Sequence, residues 1–348
     1  MCGGAVVQSA PRLTDFLSEQ MHKTHKIHAV ILISACAAAT GVGDRALAQQ
    51  YPVKALRIIV PLPPGGGNDT IARLIGQKIT PALGQQVVVD NRAGAGGLIA
   101  AELVARSPAD GYTLLLANVA VMTIIPNAQK KPPYDALKDF APVSLIASAP
   151  LLVVVHPSLP VNSIKQLVAL AKAKPNDVNY ASNGIASSTH LATEMFSMMA
   201  GVKMVHVPYK GLSLAMTDLL SGQVPLMFSS AVAMLPHVKN NKLRAIAMTG
   251  ARRAAVLPDV PTVSEAGVKG YESGSWYGIV APANTPRPIV ERLNKEIVAV
   301  VRSKDIQERL NSEAVIPAGS TPEEFSAHIK TEFERMARVI RQAKITLE

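Results

Sequence analysis

Two loops hold the residues best suited to contact a ligand. The first, Pro61–Asp69, reads PLPPGGGND and runs into the start of a helix. Glycine lets backbone approach a ligand closely, and a helix start offers N–H groups with no intrahelical acceptor. An anion beside Gly65, Gly66, Gly67 and Asn68 would gain about 0.3–1 kcal/mol, rising to about 2 when part-buried. Asp69 complicates this loop. Its carboxylate either caps the helix or turns to the site, to orient a water or receive an amino group. The second loop, Tyr180–His190, reads YASNGIASSTH. Ser182, Asn183, Ser187, Ser188, Thr189 and His190 form a hydrogen-bonding cradle for a polar ligand, the alternative being plain capping of the next helix. Asn118, Tyr209, Ser229 and Ser230 stand at similar strand ends, where solvent-facing turn positions are the competing reading.

These residue types bind; they do not assemble a catalyst. Gly94-x-Gly96 follows a strand, but Ile99 holds the third glycine position of a dinucleotide fingerprint. There is no G-x-S-x-G elbow and no phosphate loop of the G-x-x-x-x-G-K-[ST] type. His190 and Glu194 lie four apart and could share a metal, yet no second histidine is near in sequence, so His190 reads as a capping or core residue. No acid, base and nucleophile come together, and neither cofactor nor metal is expected.

The elements that would position these loops alternate between strand and helix. Strands are expected at 56–61, 87–90, 112–116, 179–181, 204–207, 226–228, 243–248 and 276–280. Between and after them run helices at about 69–83, up to 106, 164–174, 189–199, 214–221, 233–240, 288–303 and 322–343. A long apolar stretch, 145–156, is interrupted by Pro150 and reads as a crossing segment between domains. Such alternation predicts mainly parallel sheets covered by helices, with ligands at the carboxyl ends of strands.

Composition narrows the setting. The chain has 348 residues, 48% of them hydrophobic, which predicts about two domains rather than disorder. Residues 21–48 carry Lys23 and Lys26, a dozen apolar residues and Ala46-Leu-Ala48, the layout of a secretory signal peptide. Cleavage is expected after Ala48, with Met1 or Met21 as the start; a lipid anchor at Cys36 is the alternative. Cleavage removes Cys2 and Cys36 and leaves the exported chain thiol-free, excluding cysteine nucleophiles and redox motifs. The formal net charge of +10 suits nucleic acid, an anionic surface or an acidic ligand. Export argues against nucleic acid, and the last 62 residues, from Arg287, mix about 11 bases with 10 acids. The run Lys239, Lys242, Arg244, Arg252 and Arg253 reads as a solvated face or, alternatively, a docking patch.

Ile59–Asp69 with Ala72-Arg73, Val89–Arg92 with Gly94–Gly97, Pro108–Leu114 and Val155–Pro160 together form a recognisable series. It continues through Tyr180–Ser182, His190–Ala192, His206–Gly211, Leu257–Thr262 and Ala281-Pro282. The series resembles the Bug-type solute receptors of tripartite tricarboxylate transporters over essentially all of Tyr51–Glu348. The resemblance implies an α/β periplasmic-binding-protein type II fold, with two lobes joined by a two-segment hinge: 49–150 with 275–348, and 151–274. It implies a periplasmic, non-enzymatic, monomeric receptor holding a small organic acid through loop amides and hydroxyls, and handing it to membrane permease subunits. A receptor for an amino acid or aromatic acid, feeding a sensor, is the alternative; a secreted α/β hydrolase is a more distant one. Ala186 and Leu214 depart from the family's frequent glycine and proline. Trp276, the sole tryptophan, is expected to report closure of the lobes.

Overall fold

Strand β1 (Leu56–Val60) is an apolar run whose alternate and terminal residues are fully buried. It lies between β2 (Val87–Asn91) and β3 (Thr113–Asn118), parallel to both. Helix α1 (Gly67–Leu83) makes the first crossover. A 3-10 turn at Ala95–Gly97 and helix α2 (Leu98–Ala105) make the second. The computed structural model describes residues 51–347; the expected signal peptide, Cys2 and Cys36 lie outside the described residues.

After β3 the chain forms a π turn (Ala120–Ile124) leading into α3 (Ile125–Ala128). It then enters β4 (Phe140–Val155), a strand of 16 residues. A second set of crossovers follows: α4 (Ile164–Ala173), β5 (Asn179–Ser182), α5 (Ser188–Ala200), β6 (Val205–Pro208), α6 (Leu212–Ser221), β7 (Leu226–Ser230), α7 (Ala231–Lys239) and β8 (Arg244–Met248). Here β5 is parallel to β6 and β7. The chain returns through β9 (Gly274–Pro282), α8 (Arg287–Val301), α9 (Lys304–Ser312), β10 (Ile316–Pro317) and α10 (Pro322–Gln342).

The strand order β2-β1-β3-β9-β4-β7-β5-β6, with β8 and β10 also on β4, corrects the expectation of mainly parallel sheets. All five pairings made by β4 or β9 are antiparallel, against four parallel ones elsewhere. The reason lies in β4, which Pro150 does not break. Residues 140–150 pair with β9, and residues 151–155 pair with β7 and β8. Proline has no N–H to donate, so it is tolerated where strand partners change.

The sequence pattern did not show four elements: the π turn, the one-turn α3 after it, α9 and β10. The π turn is buried along Val121–Ile124, so it has no polar face to set a period. Helix α9 buries only Ile306 and Leu310, and β10 has two residues. By contrast, α10 announces itself with a capping box, Thr321 and Glu324 bonding reciprocally around Pro322.

Helix α10 packs on β9 through Phe325, which is fully buried. A Cβ placed on Gly278 would lie 2.2 Å from Cζ of that ring. Neither the strand nor the ring can yield cheaply, so Gly278→Ala is expected to destabilise the fold by about 2–3 kcal/mol, read as a lower midpoint in urea melts. An unchanged midpoint would show that this contact is looser than the packing indicates.

Candidate functional site

A cavity of about 1010 Å³ opens at the carboxyl ends of β1, β3, β5 and β7. It collects helix starts. Gly67 and Asn68 of α1, Leu98 of α2, Ala120 of the π turn, Ser188 of α5, Leu212 of α6 and Ala231 of α7 all line it. The starts of α1, α2, α6 and α7 have no side-chain cap, which leaves first-turn N–H groups for a ligand. Among the residues lining it there is no lysine, arginine or histidine, and Glu313 is the one charged side chain.

The glycine loop is held by the residue whose role was ambiguous. Asp69 is buried; it accepts from the N–H of Gly65 at 3.0 Å and from Nε of Arg73 at 3.0 Å. That arginine bond is the main reason its carboxyl sits below the usual range, against the opposing effect of burial. Asp69 therefore folds the loop back onto the first turn of α1 and does not line the cavity. Nor does Gly66, which is exposed. Asn68 and Asn118 do line it and are bonded to each other, Nδ2 of Asn118 donating to Oδ1 of Asn68 at 2.7 Å. Oδ1 of Asn118 in turn accepts from the N–H of Val121 at 3.1 Å. Two helix starts are thus tied together by one buried amide pair.

The Ser/Thr loop spends most of its hydroxyls on itself. Oγ of Ser187 donates to the carbonyl of Gly184 at 2.7 Å and accepts from the N–H of His190 as the cap of α5. Oγ1 of Thr189 accepts from the N–H of Asn183 at 2.9 Å. Asn183, Ser187, Ser188 and Thr189 line the cavity, as does Ser230. Four expected residues do not. Ser182 is buried against His206, whose Nε2 lies 2.7 Å from its Oγ. The Tyr209 hydroxyl donates to Asp218 at 2.7 Å, and burial first, then that carboxylate, pushes its pKa up to about 12. Ser229 is fully buried and faces away. The fourth, His190, stacks on His206 with centroids 3.8 Å apart, and Glu194, its supposed co-ligand, accepts the Tyr180 hydroxyl. Among the described residues no group of three or more metal-ligating side chains occurs.

Sequence reasoning missed Gly96, Gln129, Ser275, Tyr277 and Glu313, all on the cavity wall. The Tyr277 hydroxyl lies 2.7 Å from where a Cβ on Gly67 would be, so glycine is required there by close approach rather than by dihedral angle. Strand alternation puts Ser275 and Tyr277 on one face of β9, a signal present in the sequence but without an indication of which face mattered. Ala186 adopts φ of 59°, the left-handed region that favours glycine. That explains the residue usual at this position in the family it resembles, and the departure costs backbone strain of about 1 kcal/mol.

The family model for the tripartite tricarboxylate transporter family receptor matches residues 71–345. The chain belongs to this family. Protein BugT of Bordetella pertussis is 36% identical over 316 residues, 89% of this chain and 96% of that one. An R. palustris protein solved with adipate is 36% identical, with a TM-score of 0.73 over 85% of this chain and 99% of its own. MatC from Rhodopseudomonas palustris, solved with malate, is 30% identical, with a TM-score of 0.69 over 83% of this chain and 100% of its own. These matches carry the periplasmic-binding-protein fold and make this a solute-binding receptor rather than an enzyme. Among the described residues no helix is long and apolar enough to cross a membrane.

Beneath the receptor's Ser/Thr loop, burial first lowers the pKa of both His190 and His206 to about 4. The His190 ring opposes protonation of His206 further, while Glu194 favours it. Unfolded histidine takes its proton near pH 6.5, so between about 6.5 and 4 the unfolded chain binds protons that the folded one refuses. Stability is full above 6.5 and falls as pH drops toward 4, by on the order of 2 kcal/mol per ring. Chemical melts from pH 7 to 4.5 are expected to show this slope, and His206→Gln to flatten it. An equal slope in the variant would remove the stacked pair as its source.

Proposed function

We propose that this protein is an extracytoplasmic receptor that captures a small organic carboxylate and passes it to the permease of a tripartite tricarboxylate-type transporter. One observation carries the reading: a cavity ringed by uncapped helix starts and free of cationic side chains. Each start contributes roughly half a positive charge in fixed position. A carboxylate can take hydrogen bonds from several of them without displacing a counter-ion. That relatives in the family were solved with adipate and malate supports the class of ligand.

In this reading the ligand contacts are Gly65, Gly67, Asn68, Asn118, Asn183, Ser187, Ser188, Thr189 and Ser230, which share the wall. Asp69, Ser182 and His190 support the loops from behind. The expected lobes, 49–150 with 275–348 and 151–274, close over the ligand about β4 and β9. The signal peptide at 1–48 sends the chain to the periplasm, where it works as a monomer.

A second reading, a ligand that also donates hydrogen bonds, has its own support. Oε1 of Gln129 and Oδ1 of Asn183 are buried without partners, and Glu313 adds a carboxylate to the same wall. Three acceptors there favour an amino or amide group beside the carboxylate, as in an amino acid.

Thermal melts against mono- and dicarboxylates, amino acids and their amides test both readings. A true ligand at 100 times its Kd adds about 2.7 kcal/mol, a rise of roughly 4–8 °C. Gly67→Ala, which drives a methyl into the Tyr277 hydroxyl, is expected to weaken binding at least tenfold, whereas Gly66→Ala, with open space around it, leaves it unchanged. No response to any carboxylate, or equal loss in both variants, would sink the assignment. Glu313→Gln is expected to improve affinity for dicarboxylates several-fold and to weaken amino acids. No change in either direction would remove Glu313 from the selection.

A further inference from the structure

A second, smaller recess of about 560 Å³ lies beside the crossing strands. Tyr277 lines the main cavity and its neighbour Trp276 lines this one, while Ser275 and Pro150, at the crossing, border both. Successive strand residues point to opposite faces, so β9 is a wall common to both. The far side is one face of α10, where His328, Glu332 and Arg335 follow at helical spacing.

The recess gathers unmet donors. Nε1 of Trp276, Nε2 of His328 and Nε of Arg335 are each buried without a hydrogen-bond partner. They are three of the seven such side-chain atoms among the described residues, and all three border one space. Trp276 is 3% exposed, and its ring meets those of Phe325 and His328 edge-on at 5.6 and 5.3 Å. Indole and guanidinium nitrogens can only donate, and the His328 nitrogen joins them in the tautomer that carries its proton on Nε2. The acid within the recess is already engaged: Glu332 is buried and accepts from Nη2 of Arg335. That contact fixes the guanidinium while leaving its Nε edge unused. Glu272 and Arg252, both exposed, also border the recess, and at His328 the charge of Glu272 opposes that of Arg335. An unmet buried donor costs about 1–3 kcal/mol, and three in one place call for an acceptor.

We propose that this recess is a second binding site, for a small oxyanion that accepts from Trp276, His328 and Arg335, distinct from the carboxylate site across β9. A carboxylate, sulfate or phosphate presents the oxygens these donors lack, without a donor of its own to satisfy. Its occupancy holds the outer face of the strand whose inner face carries Ser275 and Tyr277. Trp276 therefore reports on this recess before it reports on the main cavity.

The sole tryptophan supplies the readout. The intact protein is titrated with acetate, sulfate and phosphate at constant ionic strength while Trp276 emission is followed. A saturable change with at least one of them is expected. Arg335→Gln should weaken it at least tenfold, and His328→Phe, which keeps a ring of similar shape, should weaken it independently if the arginine variant fails to fold. Gly67→Ala should leave the midpoint of the titration unchanged even if the starting emission shifts, because its methyl meets Tyr277 on the main-cavity face of β9. A linear response, or none with any of the three, would mean that water alone fills the recess, and a response abolished by Gly67→Ala would place the anion in the main cavity. Either result overturns the proposal.

Discussion

One strand holds hydrogen bonds in both parts of the sheet, and the remaining architecture follows from that constraint. Along β4, Phe140–Pro150 pairs with β9 and Leu151–Val155 with β7 and β8. A strand cannot change partners midway without a discontinuity, and β4 carries register shifts on both sides of the change, near Pro142 and Leu145 against β9 and at Val153–Val154 against β8. Pro150, which has no N–H to leave unsatisfied, stands opposite Gly274 at the handover. There the two backbones approach so closely that a Cβ on Gly274 would lie 2.9 Å from the carbonyl oxygen of Ala149. The main cavity lies beside this crossing, with Ala149, Pro150 and Leu151 on its wall.

Because parallel strands need crossovers, each strand-to-helix turn delivers a helix start to the same edge. Several such turns converge, and the starts of α1, α2, α6 and α7 are kept open without a capping side chain consuming their N–H groups. The chain does this by placing the stabilising bonds behind the loops. Asp69 ties Gly65 to Arg73, Asn118 ties α1 to the π turn, and Ser187 bonds back to Gly184. The same economy explains the histidines. Stacked and neutral beneath the Ser/Thr loop, they present flat surfaces rather than charges, and His190 accepts the N–H of Ala186 at 3.2 Å to hold that strained residue.

Most strands and long helices were legible because apolar runs and caps mark them locally. Strand direction was not, since the antiparallel return through β9 depends on contacts more than a hundred residues apart, such as Leu145 with Gly278. Within the loops, sequence picked out residue types but not which way they point. Asp69, Ser182 and His190 lie next to cavity-lining residues and serve the loop instead, a difference of one position that periodicity cannot resolve where no period exists. Tyr277 was hidden for another reason. It contacts Gly67 across 210 positions, and nothing in either local sequence records that approach.

The charge of the chain and the charge of the cavity follow different rules. The chain's formal charge is +10, and among the described residues most basic side chains lie on the outside, many of them paired, as Arg73 is with Asp69 and Arg287 with Glu291. Had one of these been turned inward to meet an anion, it would have to be stripped of water in the empty protein, at a cost of several kcal/mol. Helix N–H groups are already fixed by the fold, so they are available without that cost and without ordering a long side chain. They also release a ligand without leaving an unpaired charge behind. In the proposed receptor role, with the ligand taken up and then surrendered, fixed dipoles are the better device; the diffuse surface charge then supplies only a weak, salt-sensitive attraction at a distance.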